Sequence, residues 1–126
     1  MNEPLAVFRL SADMARHAGQ AQAQIARNIA NADTPGYRAQ SLESFTDTLG
    51  GMSGITQRTT RPTHMIREDV TGRARLVDSG SEPSPNGNTV SLEDELLGAA
   101  EVASDHRRAL TVYGHAMTVL RTSIGR

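Results

Sequence analysis

The chain contains no cysteine, which excludes disulfides and every thiolate metal site. It has no tryptophan, and only two phenylalanines and two tyrosines among 126 residues. Aromatic side chains supply the largest buried areas in most cores, so a self-sufficient globule is not expected. Apolar residues make up 37% of the chain, and much of that share is alanine. No apolar run approaches the ~20 residues of a membrane-spanning helix. The opening Met1-Asn2-Glu3-Pro4 lacks the basic-then-apolar pattern of a cleavable signal peptide. An excess of one charge is missing too: 13 basic and 14 acidic residues leave a net charge of −1. Nucleic-acid binding normally demands a basic face, and the composition does not favour it.

Catalytic signatures are also missing. His17, His64, His106 and His115 form no HxxxH pair, the helical spacing that would place two ligands on one face. There is no GxSxG, P-loop or GxGxxG segment. Asp105 and His106 are adjacent, but neighbours at i,i+1 do not face each other on a helix. Arg107-Arg108 reads as a solvated basic pair. No catalytic, cofactor-binding or metal-binding residue is expected, and the chain reads as non-enzymatic.

What is present falls into three parts of one domain. Residues 5–33 carry helical periodicity with no proline. One stripe runs Leu5, Phe8, Ala12, Ala15, Gly19, Ala26 and Ile29, with Gln22 as its polar exception. A second runs Val7, Met14, Ala18, Ala21, Ile25 and Ala32, interrupted by Ser11 and Asn28. Together they predict a broad contact face, with small residues from Ala15 to Ala26 permitting close approach of a neighbouring helix. Thr34-Pro35-Gly36-Tyr37 then stops the helix. Proline disfavours helical angles at the residue before it, and Pro-Gly at the central positions predicts a type II turn. Asn28 and Asn31 read either as solvated helix-ending residues or as register-fixing hydrogen-bonders.

Residues 38–88 form an irregular middle, rich in Gly, Pro, Ser and Thr. Leu42, Phe45 and Leu49 predict a short helical patch, and Leu76-Val77 and Met65-Ile66 possible short strands. Residues 80–88 read as a flexible linker.

Residues 91–124 hold the clearest pattern. Ser91 and Asp94 have capping-box spacing, and Glu93, Asp94 and Glu95 suit the positive end of a helix dipole. Leu92, Leu96, Ala99, Ala103, His106, Leu110, Tyr113, Met117, Leu120 and Ile124 then alternate steps of four and three, a seam of more than four heptads. The fold class predicted is all-α, with two long terminal helices packing as an axial, coiled-coil-like core around an irregular middle with possible short β elements. The helices could bury their seams on each other or offer them to other chains. The shortage of large side chains favours the second.

The run Asn28-Ile29-Ala30-Asn31-Ala32-Asp33-Thr34-Pro35-Gly36-Tyr37-Arg38-Ala39 resembles the N-terminal signature of the flagellar rod and hook protein family, in which N-I-A-N-x-x-T-P-G-Y closes the first helix. On that resemblance Asn28, Ile29, Asn31, Thr34, Pro35, Gly36 and Tyr37 are assembly-signature residues. Three features are similar to the proximal rod branch of the family. The chain is short. Thr60-Arg61-Pro62-Thr63-His64-Met65 resembles its T-x-P-x-H-[LM] segment. Asn86-Gly87-Asn88-Thr89-Val90-Ser91-Leu92-Glu93-Asp94-Glu95 resembles its N-G-N-x-V-x-L-E-x-E entry into the last helix. Residues 46–58 and 66–83 are unmatched. The sister proximal rod protein FlgC, which shares the N-terminal signature, is one alternative, and a non-flagellar coiled-coil binding module is another.

The resemblance implies a structural subunit of the proximal rod of the bacterial flagellar basal body, assembling helically through its terminal helices to transmit torque. It implies a periplasmic location, reached through the flagellar type III export apparatus without a cleaved signal peptide. The partners it implies are further copies of the chain, the rod proteins FlgC, FlgF and FlgG, and FliE and the MS ring at the base. It implies no cofactor.

Overall fold

The computed structural model describes residues 3–50 and 74–125. In chain order they form α1 (Glu3–Ala30), β1 (Gln40–Leu42), α2 (Phe45–Gly50), β2 (Leu76–Asp78) and α3 (Leu92–Ser123). At 1.5 Å per residue, α1 and α3 span about 42 and 48 Å. The segment 60–65 and the Met65-Ile66 pair lie outside the described residues.

Residue chemistry sets the limits of both long helices. Ser91 is the N-cap of α3, and its hydroxyl accepts the Asp94 N–H at 3.4 Å. Three acidic residues in the first turn complement the dipole. The helix α1 ends at Ala30, three residues before the end predicted from sequence. A looser turn follows, in which the Asn31 N–H is shared between the Arg27 and Asn28 carbonyls at 3.2 and 3.0 Å.

α1 and α3 pack antiparallel. At one end the rings of Phe8 and Tyr113 lie 4.3 Å apart. At the other, Asn28 reaches Glu95 at 2.8 Å. From Ser11 to Asn28 the face of α1 turned inward is the second stripe, including the two positions that seemed to interrupt it, while at the start of the helix Val7 is exposed and Phe8 of the first stripe turns in. Ser11, Ala18 and Asn28 are buried, and Met14, Ala21 and Ile25 are half-buried. Ser11 is tolerated there because its hydroxyl donates to the Phe8 carbonyl of its own helix at 2.9 Å. Across from this stripe, Ala109 and Ala116 are buried, and Gly98 faces Ile25 closely enough that an added methyl would sit 3.6 Å from its Cδ1. Small residues on both helices let the backbones approach. Among the described residues the buried apolar side chains are accordingly all alanines: Ala18, Ala39, Ala109 and Ala116.

The described parts of the middle, residues 38–50 and 74–88, form regular pairings. β1 and β2 pair antiparallel, with Gln40, Ser41 and Leu42 opposite Asp78, Val77 and Leu76. The predicted strand at Leu76-Val77 thus pairs with residues just after the signature turn. Backbone bonds Glu43 N to Arg75 O (2.9 Å) and Ser79 N to Ala39 O (3.0 Å) extend the ladder, and Arg38 joins Asp78 at 2.9 Å. α2 starts at a Ser44 cap, whose hydroxyl accepts the Asp47 N–H at 3.2 Å. Phe45 stacks edge-on against His17 at 5.5 Å, and His17 Nε2 lies 2.8 Å from the Glu43 carbonyl. These contacts tie the middle segment to the side of α1.

Candidate functional site

The signature residues and the start of α3 meet in one polar junction. Asn28 is its centre, only 1% exposed. Its amide donates to the Gln40 carbonyl and to Glu95 Oε1, both at 2.8 Å. Its Oδ1 accepts from Gln24 Nε2 at 3.1 Å, the Tyr37 hydroxyl at 3.2 Å and the Gln40 N–H at 3.4 Å. One side chain therefore joins α1, the turn, β1 and α3. A buried amide is tolerated only when its hydrogen bonds are made, and here both N–H groups and the carbonyl are engaged.

Asn88 forms the second half of the junction. Its Nδ2 lies 2.9, 2.8 and 2.8 Å from the carbonyls of Asn31, Ala32 and Thr34. Those carbonyls follow a helix end, where no further turn supplies N–H partners, so Asn88 caps α1 from 54 or more residues away. Its Oδ1 accepts the Val90 N–H at 2.7 Å. Next to it, Thr89 accepts the Ala39 N–H on its hydroxyl at 2.8 Å and donates its own N–H to the Tyr37 carbonyl at 3.0 Å. Asn88 and Thr89 are both buried. The end of the predicted flexible linker is thus a fixed structural part, because its amide supplies the bonds the signature turn lacks.

The turn has the geometry its residues dictate. Gly36 has φ +71° and the Tyr37 N–H bonds the Thr34 carbonyl at 3.3 Å. The Gly36 N–H also donates to the Asn86 carbonyl at 3.0 Å, and Gly87 lies so close that an added Cβ would sit 3.4 Å from the Gly36 Cα. Gly36→Val is expected to cost about 1–3 kcal/mol, since a β-branched residue is strained at positive φ. Urea unfolding of the purified chain measures this. Pro35 and Thr34 are exposed, with the Thr34 hydroxyl donating to Asn31 Oδ1 at 3.2 Å. Asn31 is half-buried, and its amide donates back to the Arg27 carbonyl at 2.8 Å. Ile29 points outward and takes no part in the junction.

The C-terminal seam does not coincide with the face that α3 turns to α1. A 3.5-residue repeat drifts by about 20° per heptad on a straight helix. Tyr113, Met117 and Leu120, late in the seam, are half-buried, Tyr113 against Phe8 of α1, and Ala99 is half-buried too. Leu92, Leu96, Ala103, His106, Leu110 and Ile124 are exposed, with Leu96 at 64% and Leu110 at 50%. Across α1, Leu5, Val7 and Leu10 are exposed as well. The hairpin therefore fully buries alanines inside, half-buries Ile25 and Leu120, and leaves Leu5, Leu10, Leu92, Leu96 and Leu110 exposed.

Comparison with known proteins agrees with this picture. A family model described as "Flagella basal body rod protein" matches residues 16–38, the second half of α1 and the turn. The flagellar basal body rod protein FlgB of Salmonella typhimurium is 30% identical over 118 residues, covering 86% of each chain. The chain belongs to the FlgB family of flagellar basal body rod proteins. FlgB of Agrobacterium fabrum is 27% identical over 105 residues, covering 79% of this chain and 78% of its own length. FlgB of Cereibacter sphaeroides is 30% identical over 98 residues, covering 77% of each. The branch recognised at the two motifs is thus FlgB rather than its sister FlgC.

Within this FlgB-family fold, Glu95, Gln24 and Gln40 belong to the junction although no local pattern singled them out as a cluster. Glu95 carries a pH dependence. Partial burial raises its pKa above the ordinary glutamate value, against the opposing hydrogen bond from Asn28, and Asp94 adds a smaller upward push. A group whose pKa is higher when folded binds more protons folded than unfolded. The fold therefore gains stability as pH falls through the interval between its unfolded and folded values. The wild-type chain should accordingly become more resistant to urea on mild acidification just above the ordinary glutamate range. Glu95→Gln, which keeps the acceptor for Asn28, should flatten that component. Equal pH profiles for the two proteins would refute the assignment to Glu95.

Proposed function

We propose that this FlgB-family chain is a non-catalytic structural subunit of the proximal rod, contributing its paired helices to a helical tube that transmits torque. The observation that carries this reading is the inverted distribution of apolar side chains. Alanines line the contact between α1 and α3, while Leu5, Leu10, Leu92, Leu96 and Leu110 face outward. A hairpin of this kind gains little hydrophobic energy from its own contact, and its exposed leucines are left for contacts with other chains. Candidate partners, taken from the family resemblance, are further copies of the chain, FlgC, FlgF, FlgG, FliE and the MS ring, with delivery to the periplasm by the flagellar export apparatus.

Deletion of the gene with plasmid complementation tests the reading. The deletion strain should be non-motile and its isolated basal bodies should lack a rod in electron micrographs, with both restored by the wild-type gene. A deletion strain that swims and builds complete rods would overturn it.

A further inference from the structure

Asn86-Gly87 is the single Asn-Gly pair in the chain. The other asparagines precede Glu3, Ile29, Ala32 and Thr89, whose side chains crowd the backbone nitrogen. Glycine leaves that nitrogen unhindered. In the closed fold the pair belongs to a tight turn over residues 84–87. Pro85 holds its favoured first central position, and the Gly87 N–H donates to the Ser84 carbonyl at 2.8 Å. The Ser84 N–H donates to the Asn88 carbonyl, also at 2.8 Å. The Asn86 side chain is held as well, since its Oδ1 accepts the Asn88 N–H at 3.0 Å. Its backbone carbonyl accepts the Gly36 N–H at 3.0 Å, and Gly87 lies against Gly36. Asn86 is nevertheless exposed, so water reaches it.

We infer that Asn86-Gly87 is a self-modification site, a deamidation site that the closed junction holds inactive. The Gly87 nitrogen attacks Asn86 Cγ. The new N–C bond replaces the bond from Cγ to Nδ2, and the amide leaves as ammonia with the Gly87 proton. Water then opens the resulting cyclic imide at either carbonyl, giving aspartate or isoaspartate. Attack requires the nitrogen to be aimed at Cγ. In the closed fold its hydrogen is committed to Ser84 and the amide oxygen to Asn88. The peptide cannot turn without also losing the bond to Gly36. The reaction therefore runs through the open form, at a rate set by how often the junction opens. The two products differ in consequence. Aspartate keeps the acceptor for the Asn88 N–H. Isoaspartate takes the carbonyl that accepts from Gly36 out of the main chain and lengthens the backbone before Asn88 by a methylene. The amide that caps α1 is then out of register with the turn.

Ageing of the full-length purified chain tests this. It is incubated in warm, mildly alkaline buffer with and without concentrated urea, then digested with trypsin. Mass spectrometry follows the peptide 76–107 for replacement of NH2 by OH, and fragment ions assign the change to Asn86 or Asn88. Conversion at Asn86 should be slower by roughly tenfold or more in the native chain than in urea. Asn88→Ala, with its helices checked by circular dichroism, should bring the native rate up toward the urea rate. The comparison of wild type with and without urea holds even where that variant fails to fold. Asn86→Asp should unfold at the wild-type urea midpoint, whereas the isoaspartate form, separated by chromatography, should unfold at a lower one. Equal conversion at Asn86 with and without urea overturns the inference, as does faster conversion at Asn88 than at Asn86. A folded Asn88→Ala chain that ages no faster than wild type overturns it too. So does an isoaspartate form as stable as the Asn86→Asp chain.

Discussion

Asn28→Asp is expected to destabilise the hairpin by about 3–5 kcal/mol, because it removes two buried donors and places a carboxylate against Glu95. The shape of the side chain is unchanged, so the loss reports chemistry and not packing. Gln24, Tyr37 and the Gln40 N–H would still find an acceptor, but the Gln40 carbonyl and Glu95 Oε1, each 2.8 Å from the native amide, would face oxygen. The loss should be largest at neutral pH and smaller under acid conditions, where protonation of either carboxyl restores a donor. Glu95→Gln in the same chain should recover part of it, since the glutamine amide can donate to the new carboxylate at position 28 in place of the lost bond. A double-mutant cycle by urea unfolding at two pH values measures both effects. Additive single effects would show that the two side chains do not act as a pair.

The second large effect separates folding from assembly at two adjacent residues. Ala109 is 0% exposed and faces α1, whereas Leu110 is 50% exposed and faces away. Ala109→Asp should cost the isolated chain about 3 kcal/mol or more, through an unpaired carboxylate in a helix contact. Leu110→Asp should leave the isolated chain's stability within about 0.5 kcal/mol, as for an ordinary surface change. Its effect belongs to the assembled state, where the same carboxylate would be buried in every copy of the contact. Strains carrying Leu110→Asp should be non-motile with soluble, folded subunit. Thr111→Asp, also exposed, lies off the seam and should swim. Equal motility of the Leu110→Asp and Thr111→Asp strains would show that the exposed seam meets no neighbour.

The two long helices were legible because their signals are local. Periodicity, a Pro-Gly stop, a serine cap and an acidic first turn each act within a few residues. The face that each helix buries was harder to read. Ser11 and Asn28 looked like breaks in a stripe, yet both are buried, since a polar group at a helix contact is satisfied by bonds that no hydropathy pattern encodes. On α3 the heptad seam was visible as a pattern, but not its drift away from α1, which depends on the straightness of the helix. Asn88 and Thr89 were legible only as part of the segment entering the last helix, and their bonds to the signature turn were not. Asn88 closes a stretch whose composition reads as linker, and the role of both residues emerges only when the chain brings residues 31–39 beside them. The outward-facing leucines were foreshadowed by the scarcity of large side chains elsewhere.

The bonds that close the junction join residues far apart in the chain. Asn28 and Glu95 are separated by 67 positions, and Asn31 and Asn88 by 57. Loop closure over such distances costs entropy before any contact forms, so local turns should precede the hairpin in folding. During synthesis at ~5–20 residues per second, the carbonyls after α1 wait several seconds for the amide that caps them. α1 waits longer still for the face of α3. A nascent chain of this design stays open until its last quarter is made, and the signature turn becomes part of a closed structure only when the final helix arrives.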